Sequence, residues 1–160
     1  MSTALAMLRV RLAEIRRERA RLDAEEASIV REMDAITRDP HHPEFAVADA
    51  ELVRAGLSQR DANRVIARSA TLEEVPAFDA ALAAGRLTSG HVDVLTSGLG
   101  RLCEADRPAL IARHETLLRS AESMTVDQFA KHVKFAVARA QSDGGLARFE
   151  KRRRSTYLRT

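Results

Sequence analysis

From Leu5 onward the apolar positions fall in alternating steps of three and four residues. Leu5, Leu8, Leu12, Ile15, Leu22, Ile29, Met33 and Ile36 share this rhythm, and Arg19 and Glu26 occupy its two polar steps. No Gly or Pro interrupts residues 3–37. This is a heptad seam with a polar middle, and it predicts one long amphipathic helix over residues 1–39. Two kinds of partner suit such a seam. A second copy would make a coiled-coil homodimer through residues 3–37, with Arg19 and Glu26, one heptad apart, fixing its register. Alternatively, the helix folds back on the protein's own core.

The rhythm stops at "RDPHHPEF", residues 38–45, where Pro40 and Pro43 force extended backbone before them. Beyond this linker the pattern is helical again, and residues 44–147 read as a helical domain. Helices are expected near 45–55, from Ser58 to about Ala70, near 74–84, from Thr88 to about Ser97, over 104–121, and from Thr125 to about Gln141. Thr71 with Glu74, and Thr125 with Gln128, have the spacing of capping boxes. Gly85 suits a left-handed helix end, and Asp143-Gly144-Gly145 reads as a stop. No segment with strand period precedes Ser155. The expected fold is therefore all-α: a multi-helix bundle with a long N-terminal heptad helix.

Composition agrees. The 160 residues are 45% hydrophobic and 31% charged, with 4% aromatic and no Trp. The apolar content is mostly Ala, Leu, Val and Ile, in a globular rather than a disordered balance. No apolar run approaches the length of a membrane span, and Arg9 and Arg11 come too early for a signal-peptide core. One cysteine, Cys103, cannot form an internal disulfide. These features point to a cytoplasmic protein with no membrane partner. A net charge of +3 permits nucleic-acid binding without requiring it.

The most informative local stretch is "AELVRAGLSQRDANRVIARSA", residues 50–70. Gly56 can make a tight turn between two helical segments, and Ser58 can cap the second. Ala62, Val65, Ile66 and Ser69 form one face of that second helix. Gln59, Arg60, Asn63, Arg64 and Arg68 form the other. Over residues 48–70 this is the grammar of a helix-turn-helix, in which the second helix enters the major groove. Arg bonds guanine bidentately, and Asn or Gln does the same with adenine. Leu52 departs from the pattern, because a small residue usually stands there to let the helices approach. The competing reading is two helices of an ordinary bundle with a solvated arginine face.

Residues 148–160 form a basic stub. Lys151, Arg152, Arg153 and Arg154 are consecutive, with Arg148 and Arg159 nearby and only Glu150 against them. They suit phosphates at low affinity and without sequence preference. They equally suit a solvated helix end whose cations face the negative end of the helix dipole.

Four segments in order carry a family resemblance: "GLSQRDANRVIARS", "VPAFDAALAAGRLTSGHVDVL", "MTVDQFAKHVKFAVARA" and "FEKRRRSTYLRT". Through them residues 45–160 resemble an actinobacterial repeat family, the domain of unknown function 222, which typically precedes an HNH nuclease domain. The stretch Ala80 to Val92 is the most characteristic. The resemblance implies a helical domain, then a strand-rich segment, then a zinc-containing nuclease unit. On that basis "STYLRT" is expected to begin the first strand of a missing region.

The nuclease chemistry itself is not expected in this chain. An HNH site needs a His to activate water and a further His and Asn to hold the metal and the local geometry. Asn63 is the only Asn, and His42 and His91 lie too far from it in sequence to make that compact motif. Cysteine pairs for a zinc support cannot be built from Cys103 alone. His41 and His42 sit in the linker without further ligands at metal spacing. His91, His114 and His132 read as packed or surface helix residues, and His91 as bonding a turn near Thr88. Glu104 and Asp106 oppose a reactive thiolate at Cys103. The expectation is a non-catalytic, DNA-associating module that needs no cofactor or metal. The alternative is a coiled-coil oligomerisation or interaction module without DNA binding.

Overall fold

A computed structural model describes residues 3–38 and 48–157, except for the side chains of residues 147, 148 and 151–157. The described residues form eight α-helices and no strand. They are α1 (Thr3–Arg38), α2 (Ala48–Arg54), α3 (Gln59–Glu74), α4 (Pro76–Ala83), α5 (Ser89–Gly100), α6 (Arg107–Ile111), α7 (His114–Ser123) and α8 (Val126–Tyr157). The chain divides into two compact units, Met1–Asp93 and Val94–Thr160, and the division falls within the stretch read from sequence as one helical domain. Pro40, His41, His42 and Pro43 lie outside the described residues.

In the first unit α1 buries a stripe of small residues, Ala20, Ala24, Ala27 and Val30. Alanines allow close approach of a second helix, and the Ser69 hydroxyl of α3 donates to the Ala27 carbonyl at 2.9 Å. Arg31 reaches Asp79 of α4 at 2.9 Å. Val30 continues into a cluster with Ala48, Leu52, Ala62 and Val65, against which Met33, Leu57 and Ile66 pack. The helix does fold back on its own core, chiefly through the alanine stripe, with Met33 the seam residue that packs against the cluster. Leu5, Leu8, Leu12, Ile15, Leu22, Ile29 and Ile36 are between 38% and 59% exposed. The alanine stripe lies about a third of a turn round the helix from that seam.

Two glycines close helices in the left-handed region. Gly56 has φ 108° and Gly85 has φ 70°. After α2, Leu57 N–H donates to the Leu52 carbonyl and Gly56 N–H to that of Val53, the paired bonds of a Schellman turn. Leu57 packs beside Leu52 in the same cluster, as that turn favours. Arg86 and Gly85 bond Ala81 and Leu82 in the same way after α4.

Two expected boundaries move. α3 runs past Ala70 to Glu74, and Thr71 is not a cap: its hydroxyl donates to the Ala67 carbonyl inside the helix. The break falls at Val75, whose backbone (φ −129°, ψ 74°) leaves the helical region ahead of Pro76, which starts α4. The single helix expected over 104–121 is two, α6 and α7, separated at Ala112 and Arg113. Neither glycine nor proline marks that break.

In the second unit α8 packs Phe129, Val133, Ala136, Val137 and Ala140 into the core. Its start is the expected capping box: Thr125 N–H donates to Gln128 Oε1 at 3.0 Å, and Gln128 N–H donates to Thr125 Oγ1 at 3.3 Å. Its end is not as expected. The helix passes through Asp143-Gly144-Gly145 and continues through Ser155 to Tyr157, where a strand was anticipated. A Cβ on Gly144 would overlap Oδ1 of buried Asp106. Gly144 therefore marks a close approach rather than a stop, and the Arg- and Lys-rich segment after it favours helix.

Candidate nucleic-acid interface

The α2–α3 pair is positioned from the core outward. Leu52, Ala62 and Val65 anchor it on Val30 of α1. Leu52 is accommodated there as a core residue. The Gly56 turn then sets the direction of α3, and Ser58 fixes its first turn. Ser58 Oγ accepts from the Asp61 N–H at 3.1 Å and donates to Asp61 Oδ2 at 2.7 Å. That bond satisfies one of the free amide groups at the helix start, and Asp61 suits the positive end of the helix dipole.

This arrangement leaves Gln59, Arg60, Asn63 and Arg64 exposed along the first two turns of α3. Gln59 Nε2 donates to Asn63 Oδ1 at 3.1 Å, one turn on. Arg64 lies 3.4 Å from Asp61 in an exposed pair, which contributes little to stability. Arg60 has no ion-pair partner among the described residues. Two guanidinium groups and two amides thus share one solvent-facing edge.

Arg68 does not belong to that edge, contrary to the sequence expectation. It is 7% exposed. Its Nε and Nη2 meet Asp93 Oδ1 and Oδ2 at 2.8 and 2.9 Å. Burial alone would pull this guanidinium down. The hydrogen bonds and charge of Asp93, with Asp23 and Glu26 nearby, more than reverse that, and its pKa is held above the ordinary arginine value. Arg68 closes the fold and presents no donor pair to a ligand.

Lys151, Arg152, Arg153 and Arg154 lie on the last described turns of α8, and their side chains are outside the description. Arg159 lies beyond the described residues. The sequence reading missed a different feature of this helix: Phe135, Leu146 and Phe149 are exposed and fall on one side of it.

The remaining candidate chemistry has structural partners. His91 is buried, with Nδ1 3.0 Å from Thr88 Oγ1 at the start of α5. His114 Nδ1 lies 3.0 Å from the Ile111 carbonyl, and His132 Nε2 lies 3.3 Å from Ser120 Oγ. Exposed Cys103 donates its thiol to Asp106 Oδ2 at 3.1 Å. Among the described residues no three His, Cys, Asp or Glu side chains gather at metal-binding distance. Among the same residues no helix is long and apolar enough to cross a membrane.

No curated protein and no solved structure matches the chain. A family model described as Domain of unknown function (DUF222) matches residues 9–159. That span takes in both compact units and all but the first turns of α1, and the chain therefore belongs to the DUF222 family.

Proposed function

We propose that this DUF222 chain is a non-catalytic, DNA-associating module, the N-terminal part of an HNH endonuclease. The observation that carries the proposal is the exposed edge of α3. A Schellman turn at Gly56 and the Ser58 cap orient a helix whose first two turns offer Gln59, Arg60, Asn63 and Arg64 to solvent. Helices that read the major groove use their N-terminal residues. Arg pairs there with guanine, and Asn or Gln with adenine. Arg68 takes no part. Lys151 to Arg154, on the last turns of α8, are assigned to phosphates. The nuclease link rests on the segments that resemble the HNH-associated family.

The test is Arg60→Ala with Arg64→Ala, measured as affinity for duplex DNA at fixed salt. Both residues are exposed, so the double variant folds, which circular dichroism verifies. Weaker binding supports α3 as the contacting helix, and unchanged affinity removes it.

A second reading is favoured by a separate observation. Seven apolar positions of the α1 seam remain exposed after the helix has packed its alanine stripe. On this reading α1 is a self-association surface and the chain is an oligomerisation module. The two roles are compatible, because the seam and the α3 edge use different residues.

A further inference from the structure

The heptad seam is self-complementary in only one direction. Its positions alternate as a and d: Leu5, Leu12, Arg19, Glu26 and Met33 on one row, Leu8, Ile15, Leu22, Ile29 and Ile36 on the other. A parallel two-fold dimer sets each a residue against its own copy. Arg19 would then face Arg19, and Glu26 would face Glu26. An antiparallel pair instead sets a against d, and the numbers match across the whole seam. Leu5 stands level with Ile36, Leu12 with Ile29, Arg19 with Leu22, Glu26 with Ile15 and Met33 with Leu8. No seam residue is left over. Arg19 then lies one turn, about 6 Å along the axis, from Glu26 of the other helix.

The rest of the first unit is shaped for this occupant. Beside the C-terminal half of the seam lies a groove of about 490 Å³, lined by Leu22, Glu26, Ile29, Met33 and, from α2, Leu52. At the other end no residue of the stretch 3–19 is buried. A helix in a protein draws most of its stability from packing an amphipathic face, and here the apolar positions of that face are left exposed. Among the described residues no helix fills that groove, and Leu12, Ile15 and Arg19 border a smaller one of about 210 Å³ with Thr88 and Ser89. Glu26 is partly buried without an ion pair among the described residues. Burial first and the charge of Asp23 second raise its carboxyl above the ordinary range, and Arg68 opposes them.

We propose that α1 pairs antiparallel with α1 of a second copy of this chain. The Leu5, Leu8 and Leu12 end of each helix fills the groove of the other, and Arg19 of each copy meets Glu26 of the other. This rests on the self-association reading of the seam and adds its direction, register and ion pairs.

The test uses the full chain with Cys103→Ser, carrying either Leu12→Cys or Ile29→Cys, both at exposed positions. Under mild oxidation the two variants mixed give a covalent dimer of one of each, and neither alone links to itself. Arg19→Glu and Glu26→Arg each weaken the dimer by about tenfold, and the two together restore it. Self-linking of Leu12→Cys, or a dimer by light scattering that gives no mixed link, overturns the antiparallel arrangement while leaving self-association standing. A monomer by light scattering at micromolar concentration overturns both.

Discussion

Arg68 of α3 closes on Asp93 of α5 with both arms of its guanidinium, at 2.8 and 2.9 Å. The contact joins residues 25 positions apart and fixes the start of α5 against the helix that carries the exposed arginines.

Arg68→Ala leaves Asp93 without its partner and should destabilise the chain by about 2–3 kcal/mol, as loss of a charge-assisted bidentate bond does. Asp93 keeps 30% of its side chain exposed, which holds the loss below that of a fully buried pair. Arg68→Lys keeps the charge but not the fork, and should recover only part of the stability. Urea melts of the three proteins measure this. Equal stability of Arg68→Ala and the parent would contradict the structural role.

The adjacent glycines of α8 should respond in opposite ways to alanine. A Cβ at position 145 meets nothing within 4 Å, so Gly145→Ala should stabilise by up to about 1 kcal/mol through helix propensity. At position 144 the Cβ would overlap Asp106, and Gly144→Ala should destabilise by about 1–3 kcal/mol. Thermal unfolding of the two variants shows the sign of each.

Ser58→Ala removes the oxygen that accepts the Asp61 N–H and should cost about 1 kcal/mol. Ser58→Asp, which keeps an acceptor at the cap, should retain most of the stability, and chemical denaturation distinguishes the two.

Leu12→Asp and Ile15→Asp act on exposed positions, so each should leave monomer stability within about 0.5 kcal/mol of the parent while abolishing self-association. Ala27→Asp, by contrast, places a charge on the fully buried stripe and should unfold the first unit. Light scattering and circular dichroism together separate the outcomes. A dimer that survives Leu12→Asp would remove the seam as its interface.

Much of the fold was legible because it is local. The length of α1 follows from its rhythm, and the Gly56 and Gly85 turns, the Ser58 cap and the Thr125–Gln128 box each rest on residues a few positions apart. What was missed depends on distant partners or on rotation. Arg60, Arg64 and Arg68 look like one ladder, yet steps of four drift, and Arg68 is rotated about 80° from Arg60 towards the buried side. Asp93, which receives it, lies a helix away. Gly144 reads as a stop because Asp106, the group it must clear, is far off in sequence. The true packing face of α1 was hidden because its alanines are small and the leucines beside them are not. Of the candidate site, Gln59, Arg60, Asn63 and Arg64 were legible as one helix edge.

The most direct measurement is the titration of a labelled random-sequence duplex with the purified chain, at low and at physiological salt. The account predicts binding at low salt that weakens steeply as salt rises, with a slope that falls by about 3 to 4 when Lys151, Arg152, Arg153 and Arg154 are all alanine. No binding at low salt would contradict the DNA-associating function.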